Sequence, residues 1–192
     1  MPETLVTRLG AAANNPNLLK LGELRISITP CSNTGKRYNI LQLTAGDEDV
    51  TLEISGNGYF TDSTRTANNG TTFTVSAGTT ATAYLIDGTY DLSIMNKYAL
   101  TKIVGGTSYD SSNYFNWDVD CEQLRGMNHL TELQFYSSNL NGDLAPLGTL
   151  SNLSIIKIAG SKITGDIANL STLTNLSYYS YQLLSRHPNL AL

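Results

Sequence analysis

Asp120, Asp143 and Asp166 stand 23 residues apart. A carboxylate that returns at a fixed interval is the first pattern in this chain that could do chemistry. Stacked in register, three of them would make a column with the oxygen ligands a divalent cation prefers. Their neighbours point to a plainer role. Gly142 and Gly165 precede two of the three. Such a glycine makes a turn, and the aspartate oxygen then accepts backbone N–H groups at the start of a helical or 3₁₀ turn. The glycine-rich nonapeptide of calcium-binding β-helices is absent. Capping is the expected role.

The other candidates are weaker still. Asp118, Asp120 and Glu122 alternate in "DVDCE", without the glycine and closing glutamate of an EF-hand loop. His129 and His187 are the only histidines and have no ligand spacing. Cys31 and Cys121 lie far apart, with no C-x-x-C or histidine spacing around them, and are expected as free, partly buried thiols, with a disulfide between them as the alternative. No G-x-S-x-G, phosphate loop, G-x-G-x-x-G or H-E-x-x-H occurs. The expectation is a protein that is not an enzyme and carries no metal or other cofactor.

Composition narrows the class. The 192 residues suffice for one large domain or two modest ones, each with its own core. A net charge of -4 argues against a nucleic-acid partner, which calls for a basic face. Charged residues make up 15% of the chain, against about a quarter in ordinary domains. Ser, Thr, Asn and Gly carry the polarity, and 11 Tyr stand beside 4 Phe. This suits β structure with many turns. No run of eighteen apolar residues exists to span a membrane, and the first twenty residues lack a secretory signal. If Met1 is the natural start, the protein is made in a cytoplasm and not exported by a standard signal.

Residues 1–17 read as an arm or short helix, with Pro2 at a first-turn position, Leu5 and Leu9 four apart, and Asn14-Asn15-Pro16 to end it. From 18 to 110 short apolar alternations follow one another: "LGELRISI", irregular as though bulged, then "YNILQLT", "DVTLEIS", "TTFTVSA", "TTATAYLID", "TYDLSIM" and "ALTKIV". Turn residues separate them, and Asp87-Gly88 reads as a hairpin. Strands at roughly ten-residue spacing predict a β-sandwich, immunoglobulin-like or jelly-roll.

From Asn116 onward the period changes to 23, and residues 111–192 read as a repeat domain with a C-terminal cap. Leu130, Leu153 and Leu176 share a position, as do Leu133, Ile156 and Tyr179, and Phe135, Ile158 and Tyr181. Trp117, Asp120, Cys121, Leu124 and Met127 extend the register upstream onto Leu140, Asp143, Leu144, Leu147 and Leu150. The pattern in "HLTELQFYSSNLNGDLAPLGTLSNLSIIKIAGSKITGDIANLSTLTNLSYYSY" resembles the leucine-rich repeat family. Its L-x-G-D-[LI] variant is similar to repeats of gut Bacteroidetes surface proteins and of phages that infect those bacteria.

The resemblance implies a mainly β chain, a sandwich followed by a short solenoid of about three coils. Its strands would fall near 131–136, 154–159 and 177–182, and the fold usually binds partners through the outward residues of that concave sheet. Here those are Glu132, Gln134 and Tyr136; Ile155, Lys157 and Ala159; Tyr178, Ser180 and Gln182. The repeat decays at Arg186 and Pro188, so Leu183, Leu184, Leu190 and Leu192 are expected in a cap or under a partner chain. The expected role is a virion structural or adhesion protein of a bacteriophage: a fibre, decoration or tail component. It would bind other virion proteins, or a host surface protein or glycan, as part of an assembly. The alternative is a leucine-rich repeat adhesin or glycan-binding module, secreted or at a bacterial cell surface.

Overall fold

The computed structural model describes residues 22–30, 38–56, 59–61, 66–67, 71–86, 88–106, 115–135, 138–159 and 162–182. The arm expected over 1–17, the boundary expected at 110/111, and the cap expected over 183–192 lie outside these residues.

Among the described residues the chain is mainly β, arranged in two mixed sheets. Fifteen strands contribute: β1 (Glu23–Pro30), β2 (Tyr38–Ala45), β3 (Val50–Gly56), β4 (Tyr59–Thr61), β5 (Thr66–Ala67), β6 (Thr71–Val75), β7 (Thr80–Ile86), β8 (Tyr90–Met95), β9 (Leu100–Gly105), β10 (Phe115–Asp120), β11 (Glu132–Phe135), β12 (Ser138–Asp143), β13 (Ile155–Ala159), β14 (Lys162–Thr164) and β15 (Tyr178–Gln182). Sheet I has the order β14-β12-β10-β1-β8-β3-β6, and sheet II the order β15-β13-β11-β9-β2-β7-β4-β5.

Alternation explains the first half. Leu24, Ile26 and Ile28 of β1 are buried, as are Val50, Leu52 and Ile54 of β3 and Tyr90, Leu92 and Ile94 of β8. Each such side chain removed from water contributes about 1.5–3 kcal/mol. The irregularity expected in "LGELRISI" is not found over the described part, where Glu23–Ile28 run in unbroken register against β8. A register shift falls instead at Thr44/Ala45, where β2 meets β9. The Asp87-Gly88 reading needs a second correction. β7 pairs with β2 and β4 in sheet II, whereas β8 pairs with β1 and β3 in sheet I. The two strands around this dipeptide are therefore not a hairpin. Both are apolar on one face, and each buries it from opposite sides of a shared core.

The second half is parallel. β10 pairs with β12 and β12 with β14 in sheet I; β9, β11, β13 and β15 pair in succession in sheet II. Along sheet II the partners Glu132↔Ile155 and Ile155↔Tyr178 carry the 23-residue offset of the sequence. One path recurs: a sheet I strand, a 3₁₀ turn, then a sheet II strand. It is followed by β10, the turn Cys121–Leu124 and β11; by β12, Leu147–Thr149 and β13; and by β14, Ile167–Thr172 and β15. β8, the turn Lys97–Ala99 and β9 take the same path one step earlier. There the offset is 30, from Lys102 to Glu132, and no Gly-Asp pair marks it.

The two halves meet strand to strand. β1 lies between β8 and β10, with Ile28 opposite Trp117, and β9 lies between β2 and β11. The buried side chains of both halves form one continuous apolar cluster, from Leu24 and Leu43 through Trp117 and Phe135 to Ile158 and Leu173.

Candidate functional site

Strand alternation on sheet II sorts the repeat residues into two faces. Leu133, Phe135, Ile156 and Ile158 are buried in the core. Glu132, Gln134, Ile155 and Lys157 occupy the alternate positions. By backbone register Tyr178, Ser180 and Gln182 stand opposite Ile155, Lys157 and Ala159, but their side chains lie outside the described residues. Tyr136 lies outside them altogether.

The register carries this face beyond the repeats. One row runs Thr80, Thr44, Lys102, Glu132, Ile155, Tyr178, and the next runs Thr82, Gln42, Val104, Gln134, Lys157, Ser180. Polar contacts link several neighbours. Thr44 Oγ1 and Thr80 Oγ1 are 2.8 Å apart, Gln42 Nε2 donates to Thr82 Oγ1 at 3.2 Å, and Lys102 Nζ lies 3.0 Å from Glu132 Oε2. Gln134 Nε2 donates to Glu132 Oε1. Gln134 is only 7% exposed and Val104 8%. These contacts hold Thr44, Thr80, Gln42, Thr82, Lys102, Glu132 and Gln134 against their cross-strand or same-strand neighbours. Sequence reading missed Gln42, Thr44, Thr82, Lys102 and Val104. The polar side of β2 was visible in its alternation, but its place beside β9 depends on long-range pairing.

The aspartates take the capping role. Asp120 Oδ1 accepts from the Glu122 N–H at 2.9 Å, Asp143 Oδ1 from Ala145 N–H at 2.7 Å, and Asp166 Oδ1 from Ala168 N–H at 2.8 Å. The rest of "DVDCE" is also engaged locally. Asn141 Nδ2 donates to Asp118 Oδ1. Arg125 Nε lies 2.5 Å from Glu122 Oε1, and this contact holds the Glu122 carboxyl below its ordinary pKa and the Arg125 guanidinium above its own. Among the described residues no three His, Cys, Asp or Glu side chains come together as a metal site.

A second set of hydroxyls stitches sheet II at its entry end. Thr101 Oγ1 donates to Thr44 O at 3.2 Å, Thr131 to Thr101 O at 2.9 Å, Ser154 to Thr131 O at 2.9 Å, and Ser177 to Ser154 O at 3.1 Å. Asn152 and Asn175 run a parallel ladder to Asn128 O at 2.6 Å and Ser151 O at 3.0 Å. The hydroxyl ladder starts on β2, so it spans both halves of the chain.

Two buried groups sit where the halves join. Burial pushes the free Cys121 thiol up to about 12, with Asp120 and Asp143 adding to the effect. Lys97 is buried, and its ammonium donates to the Gln123 backbone carbonyl. Desolvation lowers its pKa against the pull of Glu122. Gln123 Oε1 in turn accepts from the Arg25 N–H at 2.8 Å, which ties β1 to the turn after β10. No described helix is long and apolar enough to cross a membrane. No protein-family model, no curated protein and no solved structure matches this chain.

Proposed function

We propose that this chain is a non-enzymatic structural or adhesion protein of a bacteriophage particle, in which a β-sandwich runs on into a short leucine-rich-repeat solenoid. Partners dock on the outer face of sheet II. Glu132, Ile155 and Lys157 form the repeat part of the docking face beside the largely buried Gln134, and Tyr178, Ser180 and Gln182 continue it by backbone register. Tyr136, expected there from the repeat, lies outside the described residues, and Gln42, Thr44 and Lys102 extend the face onto the other half. The observation that carries this reading is the pair of outward rows continuing across β2, β9, β11, β13 and β15 without a break. A continuous run of polar and apolar positions along neighbouring strands suits a protein or glycan surface better than a small substrate. The recurring carboxylates support it as well, because one oxygen of each caps a backbone turn, which is a structural role.

The test is to raise antibodies to the purified chain and probe particles from the phage that encodes it, beside the envelope fraction of uninfected host cells. Labelling of intact particles is the expected result. Labelling of the cell envelope alone would move the protein to the bacterial adhesin class. As a second arm, Lys157→Glu should reduce incorporation into particles or adhesion to cells without lowering the melting temperature.

A further inference from the structure

At one rim of sheet II, apart from the face just described, three turns enclose a groove of about 190 Å³ lined by Asp47, Glu48, Asn96, Tyr98, Ala99 and His129. Asp47 and Glu48 belong to the turn between β2 and β3, Asn96–Ala99 to the turn between β8 and β9, and His129 to the approach to β11. The turns are fastened together. The Gly46 N–H donates to Ala99 O at 2.8 Å, and Asn96 Nδ2 donates to Glu48 Oε2 at 3.0 Å and to Asp49 O at 2.9 Å. Asn96 is the one non-glycine at positive φ among the described residues, at φ 61.

Tyr98 gives the groove its character. Tyr98 is 38% exposed and is one of two large apolar side chains at the surface among the described residues. It is seated beside two glycines: a Cβ on Gly22 would lie 3.8 Å from ring carbon Cε2, and one on Gly126 3.5 Å from Cε1. Lys97 Nζ stands 5.2 Å from the ring centroid. A positioned ring with exposed area therefore borders two exposed carboxylates, an amide and an imidazole.

That combination selects a ligand. Carboxylate oxygens serve as hydrogen-bond acceptors, so a ligand that meets them brings donors. The ring offers an apolar surface for C–H groups beside them. Donors around an edge and C–H groups on a face describe a pyranose sugar. The volume suits one ring and is below that of ordinary drug-sized pockets. Lys97 already sits over the same π system, which leaves less of the ring's attraction for a second cation. We propose that this groove binds one pyranose ring of a neutral carbohydrate, with Tyr98 as the stacking platform and Asp47 and Glu48 as hydroxyl acceptors. The proposal does not depend on how the outer face of sheet II is used.

The experiment is ¹H–¹⁵N NMR titration of the full chain with glucose, galactose, mannose and N-acetylglucosamine, each as free sugar and as methyl glycoside. The expected result is saturable shifts in the 46–49 and 96–99 amides with at least one sugar, at millimolar affinity. Binding should weaken about fivefold or more in Tyr98→Ala and in the Asp47→Asn, Glu48→Gln double variant, and stay unchanged in Tyr84→Ala, which alters the other exposed tyrosine. If Tyr98→Ala disturbs the fold, Tyr98→Leu keeps the apolar volume and removes the ring, and the double variant stands by itself. Equal response to methyl glycosides identifies the end of a glycan chain as the source, and response to free sugars alone identifies the monosaccharide. Absence of saturable shifts with every sugar, binding that survives in both the Tyr98 and acidic variants, or saturable shifts of these amides with tetramethylammonium and none with any sugar overturns the proposal.

Discussion

The Asp143 carboxylate occupies the space that a side chain on Gly165 would need: a Cβ built there would come within 2.9 Å of Asp143 Oδ1. Asp120 stands the same way over Gly142, at 2.7 Å, and both glycines have positive φ, +89° and +101°. The Gly-Asp pair thus serves two repeats at once. Its aspartate caps the turn of its own repeat, and its glycine makes room for the carboxylate of the one before.

Gly165→Ala should therefore be destabilising on two counts, strained backbone and a clash with a carboxylate already committed to Ala145 N–H. A loss of about 2–4 kcal/mol is expected in urea unfolding. Asp143→Ala, which removes only the cap, should cost about 1 kcal/mol. In a double-mutant cycle the pair should fall short of additive, since removing the carboxylate relieves the clash. Full additivity would mean the two residues do not meet.

The hydroxyl ladder predicts a graded series. Thr131→Val and Ser154→Ala each remove one donor to the preceding strand and should each cost about 0.5–1.5 kcal/mol. Thermal melts of the single variants check this. An unchanged midpoint in both would show that the ladder contributes nothing.

Cys121 gives a pH signature. An unfolded thiol ionises near its ordinary value of 9.0, while the folded one keeps its proton up to about 12. Between those values unfolding releases a proton, so this group's contribution to stability falls as pH rises, by at most about 1.4 kcal/mol per pH unit. The gap in unfolding free energy between wild type and Cys121→Ala should narrow on going from pH 8 to pH 11, by about the amount that slope allows. A constant gap would contradict the assignment. In a Cys31→Ser background, the native protein should also resist thiol-labelling reagents at neutral pH and react only when unfolded.

Lys97 and Arg125 both contact the 121–125 turn and should behave oppositely. Lys97→Ala removes a buried ammonium from the Gln123 carbonyl and empties the space of its stem, at a cost of about 1–3 kcal/mol. Arg125→Ala breaks only an exposed ion pair with Glu122 and should leave the melting temperature unchanged. Equal effects in calorimetry would contradict the burial that separates them.

These contrasts show which features were readable from residues alone. Strand cores such as Leu41 and Leu43 or Leu92 and Ile94 follow from local alternation, and the 23-residue register of Leu133 and Ile156 from the repeat. The capping role of Asp120, Asp143 and Asp166 was visible because glycine and spacing are local signals. What long-range pairing decides was not visible. β9 joins the parallel strands at an offset of 30, β7 and β8 part company across Asp87-Gly88, and the outer face continues through Lys102 onto Gln42. The Tyr98 groove gathers three turns from positions 47 to 129, and no short window of sequence contains it.

The proposed docking face is the outer face of sheet II. The most direct test places a photo-crosslinking amino acid at Lys157, at Tyr178, and on sheet I at Ser27 and Glu53 as controls, then irradiates the protein in assembled particles or bound to host cells. A crosslinked partner is expected from the Lys157 and Tyr178 positions and none from Ser27 or Glu53. Crosslinks confined to the sheet I positions would contradict it.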